Sequence, residues 1–291
     1  GASGLALVDV GSGTTAATLL DGVRAAGYDP ADITHLLLTH IHLDHAGAAG
    51  YLARLLPHAR VYVHSAGAAH LVDPTKLIRS AARIYGERMG VLWGTFEPVP
   101  EERLVVLDEG ASVDLGGFSL RALYTPGHAV HHLAYHDAQD EIVFPGDIAG
   151  VILEDLPFAR PPTPPPDLDV ELWKASIERV EALRPRQLLL PHFASVTEVS
   201  AHLASVVARL DEWAAISLDA LRMDASDVTI AQALREHTER QLAERGLTVT
   251  DTMRERLELA ASYAMSAQGY VRYFKTLKPD LLKTSTSSHG T

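Results

Sequence analysis

Residues 39–45 read Thr-His-Ile-His-Leu-Asp-His and follow directly on Leu36-Leu37-Leu38, a short apolar run of the kind that forms a buried strand. Three imidazoles and one carboxylate within six residues serve no packing purpose, and they narrow what this chain can be more than any other stretch. His40 and His42 alternate, so an extended segment projects both side chains the same way. Asp44 and His45 follow where the chain must turn. Imidazole nitrogen and carboxylate oxygen are the donors that zinc, iron and similar cations take. The competing reading is a polar loop that happens to be rich in histidine, in a chain that holds 15 of them.

So short a cluster cannot fill two coordination spheres, and a metal reading therefore requires partners elsewhere. Three other stretches share its grammar. Leu120–Tyr124 is mostly apolar and ends in Thr125-Pro126-Gly127-His128; Ile142-Val143-Phe144 ends in Pro145-Gly146-Asp147; Leu188-Leu189-Leu190 ends in Pro191-His192. Each is a candidate buried strand, then a Pro or Pro-Gly break, then one ligand type. Four strand ends that deliver His or Asp are what a site on a rigid scaffold requires.

This succession, His-x-His-x-Asp-His, Thr-Pro-Gly-His, Gly-Asp and a late His, resembles the metallo-β-lactamase-fold hydrolase superfamily over roughly residues 5 to 195. The resemblance implies an α/β (α+β) chain folded as an αββα sandwich, with the site at one edge between two sheets. Periodicity alone indicates only mixed α and β. The resemblance also implies the ligand roles. His40, His42 and His128 would hold one divalent cation, Asp44, His45 and His192 a second, and Asp147 would bridge them. Zinc is the expected metal, and iron or manganese also suits these donors. Such a pair lowers the pKa of a shared water from about 16 towards about 7, so that hydroxide can attack a carbonyl or phosphorus. Asp44 is expected in addition to pass a proton to the leaving group. Asp9, Thr39 and His132 are expected to brace the ligands, although an aspartate at position 9 equally suits a turn.

Within the superfamily, His42 stands where flavodiiron proteins carry glutamate, and a bridging Asp147 is unlike the true β-lactamases. The glyoxalase-II-like and lactonase-like branches remain, with a lactone, carboxylic ester or thioester as the bond to be cleaved. The alternatives are a mononuclear iron dioxygenase of the persulfide-oxidising type, a small-phosphoester hydrolase, and a metal-stabilised binding module without catalysis. One departure is His131, where glycine is usual; it either faces the substrate or is simply exposed.

The expected organisation is a catalytic domain at 1–195 and an α-helical extension with a polar tail at 196–291. Strands are expected at Leu5–Val10 and Arg60–His64, and helices at Ala16–Ala26 and Ala48–Leu56. Members of this superfamily usually carry one or more strands before Leu5; either this chain lacks them or its start is trimmed. Residues 74–100 break the alternation: Leu77, Ile78, Ala81, Ala82, Tyr85 and Met89 recur at helical spacing. They read as an inserted helix and loop, forming either a second small core or an apolar pocket wall of Tyr85, Met89, Trp93 and Phe96. His64 and His70 lack the strand-then-break context and read as ordinary hydrogen-bonded or surface histidines. The proline-rich run 160–166 reads as a stiff surface connection. Val196–Ile216, Ile230–Arg245 and Thr252–Tyr273 carry helical patterns, with Gly246 and Gly269 as local breaks.

A net charge of −12 argues against a nucleic-acid partner, whose phosphates need a basic surface. The absence of cysteine removes disulfides, thiolate ligands and a thiol nucleophile together. No apolar stretch reaches the length of about eighteen residues that spans a bilayer. The expected partner is a small-molecule substrate, with no nucleic acid and no membrane, and a homodimer is an open assembly. No signal peptide is visible, which favours the cytoplasm, though a trimmed start would hide one.

Overall fold

The computed structural model describes residues 4–153, 156, 158–192 and 194–283. Strand β2 (Ile33–Leu37), which leads into the histidine cluster, lies between β1 (Leu5–Val8) and β3 (Arg60–His64). With β4 (Leu104–Leu107) these form a four-stranded, all-parallel sheet. Parallel strands are covered on both faces, which is why their sequences are continuously apolar. Leu36 and Leu38 face the helices α1 (Ala16–Ala25) and α3 (Ala49–Leu55), while Leu37 enters the layer between sheets. The connections that follow carry the one-turn helix α2 (Leu43–Ala46), then α4 (Ser65–Val72), α5 (Thr75–Tyr85) and α6 (Met89–Trp93).

The second sheet has six strands in the order β10-β9-β8-β7-β6-β5. These are β5 (Ser112–Asp114), β6 (Ser119–Tyr124), β7 (Leu133–Asp137), β8 (Ile142–Phe144), β9 (Gln187–Leu190) and β10 (Ala194–Val196). Its neighbours are antiparallel except for the parallel pair β8 and β9. Leu37, Leu107, Val113, Leu120, Ala122, Leu133 and Tyr135 fill the layer between the sheets. The outer face of the second sheet is covered by α7 (Val170–Ala182) and by the helices α8 (Val199–Arg222), α9 (Asp227–Glu244), α10 (Asp251–Ala260) and α11 (Tyr263–Leu277). A short α12 (Pro279–Leu282) follows. Helices, sheet, sheet, helices is the expected αββα order. Leu123, Val143 and Leu188 of the sheet share one core with Trp213, Leu234, Leu257 and Tyr270 of the C-terminal helices.

Several local expectations need correction. The first strand stops at Val8 because Asp9 takes a left-handed conformation, φ +58. Strand β7 had no counterpart in the sequence reading: its run Leu-Ala-Tyr-His-Asp is short and mixed. Residues 194–196 form β10, so the helix expected from Val196 begins at Val199 and runs on to Arg222. The helix expected at Thr252–Tyr273 breaks at Ala261 and Ser262, whose hydroxyl caps α11 at the Met265 N–H. Gly269 lies inside α11, where it admits another segment rather than ending the helix. The run 160–166 is a surface connection only at its far end: Arg160, Pro161 and Thr163 are buried, whereas Pro166 is exposed. The polar tail beyond Lys283 lies outside the described residues. Among those residues no helix is long and apolar enough to cross a membrane.

Tyr135 ties the two sheets directly beneath the histidine cluster, its buried hydroxyl donating to the Leu38 carbonyl at 2.8 Å. Tyr135→Phe leaves that carbonyl without its donor. It should lower stability by about 1–2 kcal/mol, read as a lower urea midpoint at unchanged slope.

Candidate metal centre

The C-terminal ends of β1, β2, β6, β8 and β9 deliver Asp9, residues 39–45, His128, Asp147 and His192 respectively. Loop 125–132, between paired β6 and β7, is drawn against the cluster by the bond from Leu133 N–H to the Thr39 carbonyl, 2.7 Å. Three groups of ligand atoms converge: His40 with His42 and His128, His40 with His45 and Asp147, and Asp44 with His45 and His192.

In the first group, His40 Nε2 lies 2.9 Å from His42 Nδ1, and His128 Nε2 lies 2.9 Å from His42 Nδ1 and 3.3 Å from His40 Nε2. The hydrogen bonds at the other ring nitrogens fix the tautomers. His128 Nδ1 faces the Pro162 carbonyl at 2.9 Å, a pure acceptor, so that nitrogen carries the proton. The Thr39 hydroxyl donates to Asp9 at 2.8 Å and therefore accepts from His40 Nδ1 at 3.0 Å. Both Nε2 atoms are then bare lone pairs aimed at one another, with at most the His42 proton to share among three nitrogens. A tetrahedron with zinc–nitrogen bonds of about 2.0–2.1 Å has edges of about 3.3 Å, which the His40–His128 separation matches and the two 2.9 Å separations to His42 fall short of. Burial holds His40 well below the usual imidazole range and His128 down at about 4, so both rings are neutral, as ligation requires.

The second group is more acidic. His45 Nε2 and His192 Nε2 lie 3.2 and 3.3 Å from Asp147 Oδ1 and 3.5 and 3.7 Å from Asp44 Oδ2. The other Asp147 oxygen is 3.4 Å from His128 Nε2, so one carboxylate faces both groups. Burial opposes charge on His45, but Asp147, Asp44 and Asp9 together raise it well above the ordinary value. Burial likewise favours neutral acids at Asp44 and Asp147, yet His45 and His192 hold both carboxyls low. Two buried atoms, His45 Nε2 and Asp147 Oδ1, find no hydrogen bond of acceptable geometry. Convergent lone pairs and orphaned buried polar atoms are what divalent cations would satisfy, and the donor set fits them.

The bracing residues surround this cluster. Asp9 accepts the Thr39 N–H at 2.7 Å and the His45 Nδ1–H at 2.8 Å, the arrangement that orients a metal-binding imidazole. His132 takes the Asp147 N–H on Nε2 at 3.1 Å and gives its Nδ1 proton to Thr125 at 2.8 Å. Gly146 is required beside it: a Cβ there would lie 2.4 Å from His132 Nε2, at a left-handed φ of +56. His131 is buried rather than exposed; its Nδ1 faces the Ile41 N–H at 3.4 Å and its ring stacks behind His40.

Of the expected pocket residues, Phe96 is buried in the N-terminal core, with Met89 and Trp93 packed against it. Tyr85 lies edge-to-face on Trp93, and burial together with the Asp44 charge pushes its phenol up to about 12. Its hydroxyl reaches Met265 of α11 at 3.5 Å. Met265, the Pro162 carbonyl and Trp173, edge-on to His128 at 5.3 Å, were missed by the sequence reading. None carries a local signal; only the tertiary fold brings them in. His64 stacks on Tyr124 and caps α4, and neither it nor His70 joins a metal-like group among the described residues.

A family model described as the metallo-beta-lactamase superfamily matches residues 1–192. A metallo-beta-lactamase fold-containing protein of Sulfurisphaera tokodaii is 30% identical over 163 residues, 55% of this chain and 60% of that one. An acyl-coenzyme A thioesterase of Gallus gallus is 31% identical over 169 residues, 53% of this chain and 57% of that one. The chain thus spans less than two thirds of the curated relatives it matches. Among solved structures, a metallo-beta-lactamase family protein from Thermus thermophilus superposes with a TM-score of 0.69 at 22% identity, covering 94% of this chain and 86% of that one.

Asp9→Asn tests the brace. Asparagine tolerates the left-handed backbone but turns a donor or a neutral carbonyl towards His45. Zinc affinity measured by chelator competition should fall about 10- to 100-fold, with the far-UV spectrum unchanged.

Proposed function

The chain belongs to the metallo-beta-lactamase superfamily, and on that premise we propose a dinuclear metal-dependent hydrolase that cleaves a lactone, carboxylic ester or thioester bond of a small molecule. The observation that carries the reading is the pair of adjoining ligand groups with the Asp147 carboxylate turned to both. His40, His42 and His128 would hold one cation, Asp44, His45 and His192 the other, with zinc first among the candidates and iron or manganese compatible. Bound there, two divalent cations supply activated water at neutral pH and stabilise charge on a polarised carbonyl oxygen.

The remaining work falls to the chain's own side chains. Asp44 is partly exposed where His45 and Asp147 are buried, and its carboxyl, held low by His45 and His192, is ionised; from that position it would pass a proton to the leaving group. Tyr85 stays protonated across the physiological range, and within reach of the Asp44 charge it would serve as a donor to the substrate. Met265, Trp93 and Met89 add apolar surface beside it, which suits an acyl chain better than a phosphate. The net charge of −12 agrees. The match to a thioesterase supports the thioester member of the series. Residues 1–195 would carry this chemistry and 196–291 would shape the substrate side, with no nucleic acid or membrane involved.

Zinc-loaded protein should turn over members of a small lactone and thioester panel. Asp147→Ala should lose at least one zinc per chain and at least about a thousandfold in rate. Retention of both metal and turnover would overturn the proposal.

A further inference from the structure

The segment 160–163 has no role in the reaction above, yet it touches a metal ligand. Pro162 accepts the His128 Nδ1–H at 2.9 Å and so sets both the tautomer and the orientation of that ring. A proline has no N–H of its own and a fixed φ, so the direction of its carbonyl depends on its neighbours. Both neighbouring anchors are built. On one side, Arg160 pairs its backbone with Val151 in both directions, at 2.8 and 2.9 Å. Val151 directly follows the turn closed by Gly150 N–H on the Asp147 carbonyl. The Arg160 side chain runs the opposite way, into the C-terminal helices. It is fully buried, donates to the Leu257 carbonyl and to the Ala261 carbonyl at 2.8 Å, and lies over the rings of Tyr263 and Trp213. These carbonyls close the C-terminal end of α10, where a cation is favoured by the helix dipole. On the other side, Gly269 of α11 brings its backbone against Thr163: a Cβ there would lie 2.0 Å from the Thr163 oxygen.

We infer that Arg160 and Gly269 are positioning residues for the metal held by His40, His42 and His128, acting through the Pro162 carbonyl on His128. The C-terminal helices are then part of that metal position and not only a wall of the substrate cleft. The second position receives no bond from this segment among the described residues; His45 is braced from Asp9 instead. Arg160 reaches the shared Asp147 only through the backbone turn before Val151, whereas Pro162 bonds the His128 ring directly, so the larger effect falls on the first position.

The inference rests on the two-metal reading, and the experiment distinguishes the two. Stepwise zinc affinities are measured by chelator competition on the unaltered chain, Gly269→Ala, Arg160→Lys and Tyr270→Phe. Tyr270→Phe is the packing control: it removes a buried bond to the Leu210 carbonyl from the residue next to Gly269, while leaving the glycine itself in place. The unaltered chain should take up two zinc ions. Gly269→Ala should weaken one step by about tenfold or more and leave the other unchanged. Arg160→Lys keeps the charge but loses the two-carbonyl fork, and should weaken the same step. Tyr270→Phe should lower the melting temperature with both steps intact. Equal weakening of both steps, no change in folded Gly269→Ala, or the same selective loss in Tyr270→Phe would each overturn the inference. Uptake of fewer than two zinc ions by the unaltered chain would instead overturn the reading beneath it.

Discussion

Lone pairs cannot be buried against one another without something positive between them. At this site the Nε2 atoms of His40 and His128 each face His42 Nδ1 at 2.9 Å and one another at 3.3 Å, with protons held on the far side of two rings by Thr39 and Pro162. A protein that fixes its imidazoles in this tautomeric state has spent hydrogen bonds on presenting acceptors. A cation would satisfy the arrangement, because burial makes protonation of His40 and His128 unfavourable. The acidic half of the cluster has the complementary problem: Asp44, Asp147 and Asp9 crowd His45 and His192, and like charges so close are tolerated only with compensation.

Much of the scaffold follows from holding that geometry. Two sheets must end at a common edge, and the inter-sheet layer of Leu37, Leu120, Leu133 and Tyr135 brings them there. Asp9 leaves its strand in a left-handed conformation and thereby turns its carboxylate to both Thr39 and His45. His132 spans from Thr125 on one ligand loop to the Asp147 N–H on another. Each brace joins two segments distant in sequence, so the ligands are positioned by the fold as a whole.

The convergence of these side chains was legible in the sequence because each follows an apolar run and a break, and because the order of the motifs resembles a known superfamily. The αββα layering was legible through that resemblance, not through periodicity. What escaped has a physical reason in each instance. Strand β7 is five residues long and contains a histidine and an aspartate, so neither alternation nor an apolar run marks it. Gly269 reads as a helix breaker from propensity, whereas tertiary packing against Thr163 overrides a local cost of about 1 kcal/mol. The proline run looked solvent-facing because its composition is that of a linker, yet Arg160 inside it is fully buried on helix carbonyls. Backbone groups such as the Pro162 carbonyl have no sequence signature at all.

The proposed centre consists of two cation positions served by seven side chains. Anomalous scattering at the zinc absorption edge, from crystals grown with zinc, tests this most directly. Two peaks are predicted, one bounded by His40, His42 and His128 and the other by Asp44, His45 and His192, with Asp147 in contact with both. A single peak, or peaks ligated by other residues, would contradict the two-metal centre.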